Sequence, residues 1–195
     1  AGLGAAYPLF VFFSGVLMAE TLLIFLTVSA LLLALRFESA PSTGRAGALG
    51  ALLGLAALCK PVVLPWAVLL LLGWWRRCGL SRGRRSVRTA VVVGAMGLVV
   101  ASWTVRNAAV TGYFVPISSN LGMNLMIGSE PGSTGVYRDS VDYLEMFDRL
   151  TGMAGDPVAR DRLAARSALG WIFASPARFA MLGVRKLLRL WSPLV

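Results

Sequence analysis

Residues 46–75 read AGALGALLGLAALCKPVVLPWAVLLLLGWW, apolar throughout except for Lys60. One straight helix over this stretch would strand the Lys60 ammonium near mid-bilayer, at a cost of about 2.5–3.5 kcal/mol on insertion scales. Pro61 would also remove a backbone hydrogen bond from that helix. Two short helices, up and back, avoid both costs and put Lys60 at the turn between them. At 1.5 Å rise per residue each is about 20 Å long, short of the roughly 30 Å hydrocarbon core. The stretch therefore predicts an all-α, polytopic membrane bundle whose outer leaflet is thinned or cavity-lined near Lys60.

On the N-terminal side, Val16 to Leu35 is long enough to span a bilayer. Ala1 to Phe13 reads as the end of an earlier span, with a break at Ser14-Gly15, and Arg36 to Arg45 as a short polar loop. On the C-terminal side, Arg76 to Arg88 (RRCGLSRGRRSVR) reads as a basic loop and Thr89 to Val105 as a further span. Arg106 to about Arg166 is mostly polar, with an acidic helix expected around Asp139 to Arg149. Asp156-Pro157 is an N-cap and first-turn pair that starts a helix reaching Phe173, and Pro176 starts another. In that last helix Arg178, Arg185, Lys186 and Arg189 interleave with Phe179, Leu182, Leu187, Leu188 and Leu190, the pattern of a basic amphipathic helix on or entering a membrane. The organisation expected is about five membrane helical segments in 1–105, an extracytoplasmic loop region at 106–166, and a truncated interfacial amphipathic helix at 167–195.

Composition narrows the function classes. Apolar residues make up 57% of the chain and charged residues 14%, against about 45–50% and about 25% in soluble domains. That argues against a soluble enzyme, a disordered tail or a secreted disulfide scaffold. The net charge of +10 would suggest nucleic acid in a soluble chain. Here the basic residues cluster at Arg76 to Arg88, beside apolar runs, where they act as a topology signal. There is no His, and Cys59 and Cys78 do not form a metal or redox motif. The sequence thus points to no cofactor and no metal site. It opens with Ala inside an apolar run and closes soon after Trp191, so an internal piece of a longer polytopic protein is expected.

By the positive-inside rule the basic loop is cytoplasmic, and the span at 89–105 ends outside. Glu20, Lys60, Arg106 and Asn107 then reach one water–lipid boundary. An acid within an apolar helix is a functional-site candidate by default, and a lone cation at headgroup depth suits a lipid-borne phosphate. Lys60 is accordingly the leading phosphate-binding candidate and Arg106 its helper. Glu20, Asn107, Asn120 and Asn124 are candidates for the sugar or acceptor site. The Gly-, Ser- and Asn-rich run after Arg106, with Tyr113 and Phe114, supplies hydrogen-bonding groups and rings suited to a sugar. The plainer alternatives are a helix-start acid stabilised by the dipole, a snorkelling Lys and an interfacial Arg anchor.

Four segments carry a family resemblance, in order: SGVLMAETLLIF (14–25), GLAALCKPVVLP (54–65), VRNAAVTGYFVPISSNLGMNLMIGSEPGSTG (105–135) and FASPARFAMLGVRKLLRLW (173–191). Together they resemble the GT-C superfamily of polyprenyl-phosphate-sugar-dependent membrane glycosyltransferases. The likeness lies with protein O-mannosyltransferases and lipid A aminoarabinose transferase relatives. Cys59 stands where that family usually has Thr before the Lys or Arg. The resemblance implies an inverting transfer of a sugar from a polyprenyl-phosphate carrier to an extracytoplasmic glycan, lipid or protein acceptor at a bacterial inner membrane. The family's base is an Asp in an earlier extracytoplasmic loop, and no position here matches it. No catalytic residue is therefore assigned, and this chain alone is expected to be inactive. A transporter or flippase fragment and a non-catalytic membrane scaffold, with Glu20 and Lys60 paired for packing, are the competing expectations.

Overall fold

A computed structural model describes residues 19–77, 79–133 and 156–191. Every regular element among them is a helix: α1 Ala19–Ser39, α2 Thr43–Cys59, α3 Val63–Arg77, α4 Arg82–Thr111, α5 Leu121–Ser129, α6 Pro157–Ala174 and α7 Pro176–Leu190. The chain divides into two compact units between Ile117 and Ser118. The expected segment at Ala1 to Phe13 and the acidic helix at Asp139 to Arg149 lie outside the described residues.

Among the described residues two helices, not five, are long and apolar enough to cross a membrane: α1 and α4, or three spans if the bent pair α6 and α7 counts as one. Helices α2 and α3 do form either side of Lys60-Pro61, but they have 17 and 15 residues. At 1.5 Å per residue they are about 26 and 23 Å long, shorter than the roughly 30 Å of a hydrocarbon core. The loop expected at 36–45 shrinks to the few residues between Ser39 and Thr43, because Ser42 caps α2 by accepting the Arg45 N–H at 3.2 Å. The basic loop at 76–88 is also largely helical. Arg76 and Arg77 close α3, and Arg82 to Arg88 open α4. Arg85 makes this turn stable: its guanidinium donates to the carbonyls of Trp75 and Leu80, both at 2.8 Å, and lies over the Trp75 ring. An arginine of α4 thereby satisfies an orphan carbonyl at the end of α3. Finally, α4 does not stop at Val105. It continues to Thr111 and ends at Gly112, whose φ of 73° is the left-handed conformation glycine adopts at low cost.

In the first unit, α1 returns antiparallel along α2, while α2 and α4 run in the same direction in close contact. A Cβ on Gly50 would sit 2.2 Å from the Val92 carbonyl oxygen and 2.8 Å from Ala95 Cβ, and one on Gly54 would sit 2.8 Å from Val99 Cβ. Glycines four residues apart let two backbones meet where lipid offers no hydrophobic drive for association. Leu49, Leu53 and Val92 are fully buried around this seam. At the far end, Phe37 stacks on Trp74 with ring centroids 4.7 Å apart. Helix α1 carries an ion pair at each end, Glu20 with Lys60 and Glu38 with Arg77.

In the second unit, α5 lies on α6. Gly122 touches the α6 backbone so closely that a Cβ would be 1.8 Å from the Asp161 carbonyl oxygen. The Asp161 carboxylate accepts the Met123 N–H at 2.9 Å, doing from α6 the capping that Asn120 does not do for its own helix. Asp156 caps α6 through the Val158 N–H at 2.9 Å, with Pro157 in the first turn. Ser175-Pro176 turns the chain by 103° into α7, so residues 167–174 belong to α6 and only Pro176–Leu190 forms the amphipathic helix. Lys186 of α7 donates to the Gly128 carbonyl at 2.7 Å. Met181, Val184, Leu187 and Leu188 stay exposed on α7.

Substitutions along α2 should therefore divide sharply. Gly50→Leu and Gly54→Leu overpack the seam and should each cost about 1–3 kcal/mol or more. A Cβ on Gly47 meets nothing closer than 4.0 Å, so Gly47→Ala should be neutral or stabilising by up to about 1 kcal/mol through helix propensity. Thermal unfolding of the three variants in detergent checks the order.

Candidate functional site

Lys60 stands where α2 ends. Its backbone is extended (φ −146°, ψ 122°), and its N–H still closes the helix on the Ala56 carbonyl at 3.0 Å. The extended conformation is what the residue before a proline favours, so Pro61 both stops α2 and turns the Lys60 side chain away from the helix. Glu20 lies in the first turn of α1, where a carboxylate complements the helix dipole. The antiparallel pairing of α1 and α2 brings these two ends together, and Lys60 Nζ donates to Glu20 Oε1 at 2.5 Å. The side chains remain 44% and 45% exposed, so the ammonium is tethered and still accessible.

The glycine seam sets what lies beside this pair. Because α2 and α4 run in the same direction, with Gly54 against Met96 and Val99, the end of α2 falls level with Trp103. Leu22, Leu26, Leu55, Leu58, Cys59 and Trp103 line one apolar groove of about 280 Å³. Trp103 is fixed on two sides. Its indole N–H donates to the Ile117 carbonyl at 3.1 Å, and the Arg106 guanidinium lies over its ring at 4.9 Å. The groove thus reaches Cys59, the residue before Lys60, and Leu22, two residues after Glu20, with Arg106 stacked on its Trp103 wall.

Asn107 lies near the end of α4. It is buried, and its amide donates to the carbonyls of Val115 at 3.0 Å and Ile117 at 3.3 Å. Arg106 donates to its side-chain oxygen at 3.3 Å. With Thr104, which donates to the Pro116 carbonyl at 2.9 Å, it fastens residues 113–117 back along α4 after the Gly112 reversal. Asn120 and Asn124 belong to the second unit. Both are exposed, and Asn120 accepts from the Ser118 hydroxyl at 2.8 Å. The structure therefore brings Glu20 directly to Lys60, links Arg106 to the same groove through Trp103, and uses Asn107 to hold the returning strand of chain.

Trp103 and the glycines of the seam were not singled out from the sequence. The signal for the glycines was Gly50-x-x-x-Gly54 inside an apolar run. The signal for Trp103 was its place one turn before Arg106, the spacing at which helical side chains meet. Compared with known proteins, the chain matches no family model, no curated protein and no solved structure.

The two neighbours at 106 and 107 should respond unequally to substitution. Asn107→Leu leaves two carbonyls without their donor and should cost about 1–3 kcal/mol. Arg106→Ala removes an exposed ring contact and should cost about 0.5–1 kcal/mol. Melting temperatures of both variants in the same detergent give the comparison.

Proposed function

We propose that the chain is part of an inverting membrane glycosyltransferase that moves a sugar from a polyprenyl-phosphate carrier to an extracytoplasmic acceptor. The observation that carries this reading is the apolar groove that reaches Cys59, next to Lys60 in the chain, and has Arg106 over its Trp103 wall. A prenyl phosphate has the matching form, an apolar chain ending in a strongly hydrated anion. Its chain lies against Leu22, Leu26, Leu55 and Leu58, and the rest remains in lipid. Its phosphate oxygens accept from the Lys60 ammonium and the Arg106 guanidinium, charge-assisted bonds stronger than neutral ones. These cations steady the phosphate as it leaves the anomeric carbon. Glu20 keeps the ammonium at the groove when no donor is bound and yields part of it to the phosphate on binding. No residue of the chain is assigned as base, and the acceptor hydroxyl is deprotonated by a group outside it.

The reading places this site on the extracytoplasmic side of a bacterial inner membrane. Its support is charge: Arg82, Arg84, Arg85 and Arg88 open α4, and the positive-inside rule puts such an end in the cytoplasm. Arg106 is at the other end of the same helix. The 2.5 Å Glu20–Lys60 bond favours one competing reading, a non-catalytic scaffold in which the pair serves packing alone.

Binding of a radiolabelled polyprenyl phosphate to the chain in nanodiscs separates the two. For the transferase reading, Lys60→Ala weakens binding about tenfold or more, while Glu20→Gln leaves it equal or tighter because the ammonium loses its competitor. For the scaffold reading, both variants lower the melting temperature alike and leave lipid binding unchanged. Sugar transfer by the full protein that survives Lys60→Ala overturns the phosphate-binding role.

A further inference from the structure

Helix α7 divides lengthwise into three strips. Leu182 is buried and Lys186 donates to the Gly128 carbonyl at 2.7 Å, so this side faces its own unit. At about 100° per residue, Ala177, Ala180, Met181, Val184, Leu187 and Leu188 fall within an arc of about 120° centred opposite that side. All six are exposed, and their arc has the width of the apolar stripe that an amphipathic helix normally buries. Arg178, Arg185 and Arg189 form the third strip, within about 40° of one another, between the apolar arc and the side facing the unit. They too are exposed, and none of them has an ion pair among the described residues. Pro176–Leu190 contains no acid.

A partner that covers this helix has to accept apolar side chains along one face and supply anions along its edge. A bilayer surface carrying anionic phospholipid offers both in that order, acyl chains beneath the helix and phosphates level with it. Arginine side chains keep their stems over apolar ground while the heads reach outward, and guanidinium–phosphate bonds are charge-assisted and often bidentate. Trp191, 88% exposed just past the helix, is of the residue type enriched at membrane–water interfaces. Length and bend decide the orientation. Helix α7 is about 23 Å long, short of the roughly 30 Å hydrocarbon core. It meets α6 at 103°, so the two cannot both run along the bilayer normal. Threading them as one bent span would draw Arg178, just past the bend, into hydrocarbon, where a charge is strongly disfavoured. A second α7 laid antiparallel over the apolar strip would set arginine row beside arginine row. The chain itself keeps this unit at a membrane, because Ser118 follows directly on Ile117, whose carbonyl accepts from Trp103 and Asn107 of the membrane-length helix α4. We infer that α7 docks flat on an anionic phospholipid surface, with its apolar strip at the acyl boundary and Arg178, Arg185 and Arg189 on headgroup phosphates. This docking shares no residue with the polyprenyl-phosphate reading and does not depend on it.

The experiment uses the full chain at one copy per nanodisc, with Cys59→Ala and Cys78→Ala and a nitrobenzoxadiazole label at Ala177→Cys or Leu188→Cys. The discs contain phosphatidylcholine alone or mixed with phosphatidylglycerol, and spin-labelled lipids report the depth of each label by quenching. The two positions share the apolar strip and lie about 16 Å apart along the helix. Both labels sit at the same shallow depth in the mixed discs, and the ratio of docked to undocked helix is higher there than in phosphatidylcholine. Arg178→Gln, Arg185→Gln and Arg189→Gln each lower that ratio about fivefold, the effect of one basic residue at an anionic surface, with helicity by circular dichroism unchanged. Depths that differ by the full spacing, labels in water in both lipids, docking equal in the two lipids, or docking indifferent to all three substitutions overturns the inference. The depth and lipid comparisons keep every arginine, so they decide the matter even where a substituted chain misfolds.

Discussion

The close approach of α2 to α4 is the constraint from which the first unit follows. Gly50 and Gly54 let the α2 backbone rest on Val92, Ala95 and Val99, and that contact sets how far one helix slides along the other. A residue with a side chain at either position would shift the register or part the helices. The register in turn brings Trp103 beside Leu58 and Cys59, closing the apolar groove.

The second unit solves a similar problem with polar groups. Helix α5 has nine residues, too short to hold together on its own propensity. Gly122 seats it against α6, the Asp161 carboxylate caps its start, and the Lys186 ammonium caps its end. Two charged side chains from other helices thus do what α5 lacks sequence to do for itself. On α7, Leu182 is buried and Lys186 is tied to Gly128, while Met181, Val184, Leu187 and Leu188 stay exposed.

Helix breaks were the most legible feature of the sequence. Lys60-Pro61, Asp156-Pro157 and Ser175-Pro176 each mark an end or start, because proline acts through the backbone regardless of its surroundings. Helix extents were less legible. Arg82 to Arg88 and Arg106 look like loop residues by polarity, yet arginine is a good helix former, and α4 runs through both until Gly112 stops it. Within the site, the meeting of Glu20 and Lys60 was legible because it needs only the order of helices up and down. The task of Asn107 was not, since its partners are the carbonyls of Val115 and Ile117, brought back by a reversal that residue type does not announce. The alanines and glycines of α2 likewise read as plain apolar length until their spacing is set against a neighbouring backbone.

The two ion pairs at the ends of α1 also act as a gauge. Glu20 and Glu38 are eighteen residues apart, and no charge lies between Glu20 and Arg36. At 1.5 Å per residue the two carboxylates are about 27 Å apart along the helix, close to the roughly 30 Å of a hydrocarbon core. Each is tied to a cation on another helix, at Lys60 and at Arg77, so α1 cannot slide to suit a different membrane without breaking a tie. The first unit therefore has a built-in hydrophobic thickness. A bilayer thicker than this spacing would have to thin around the unit, at fractions of a kcal/mol per Å.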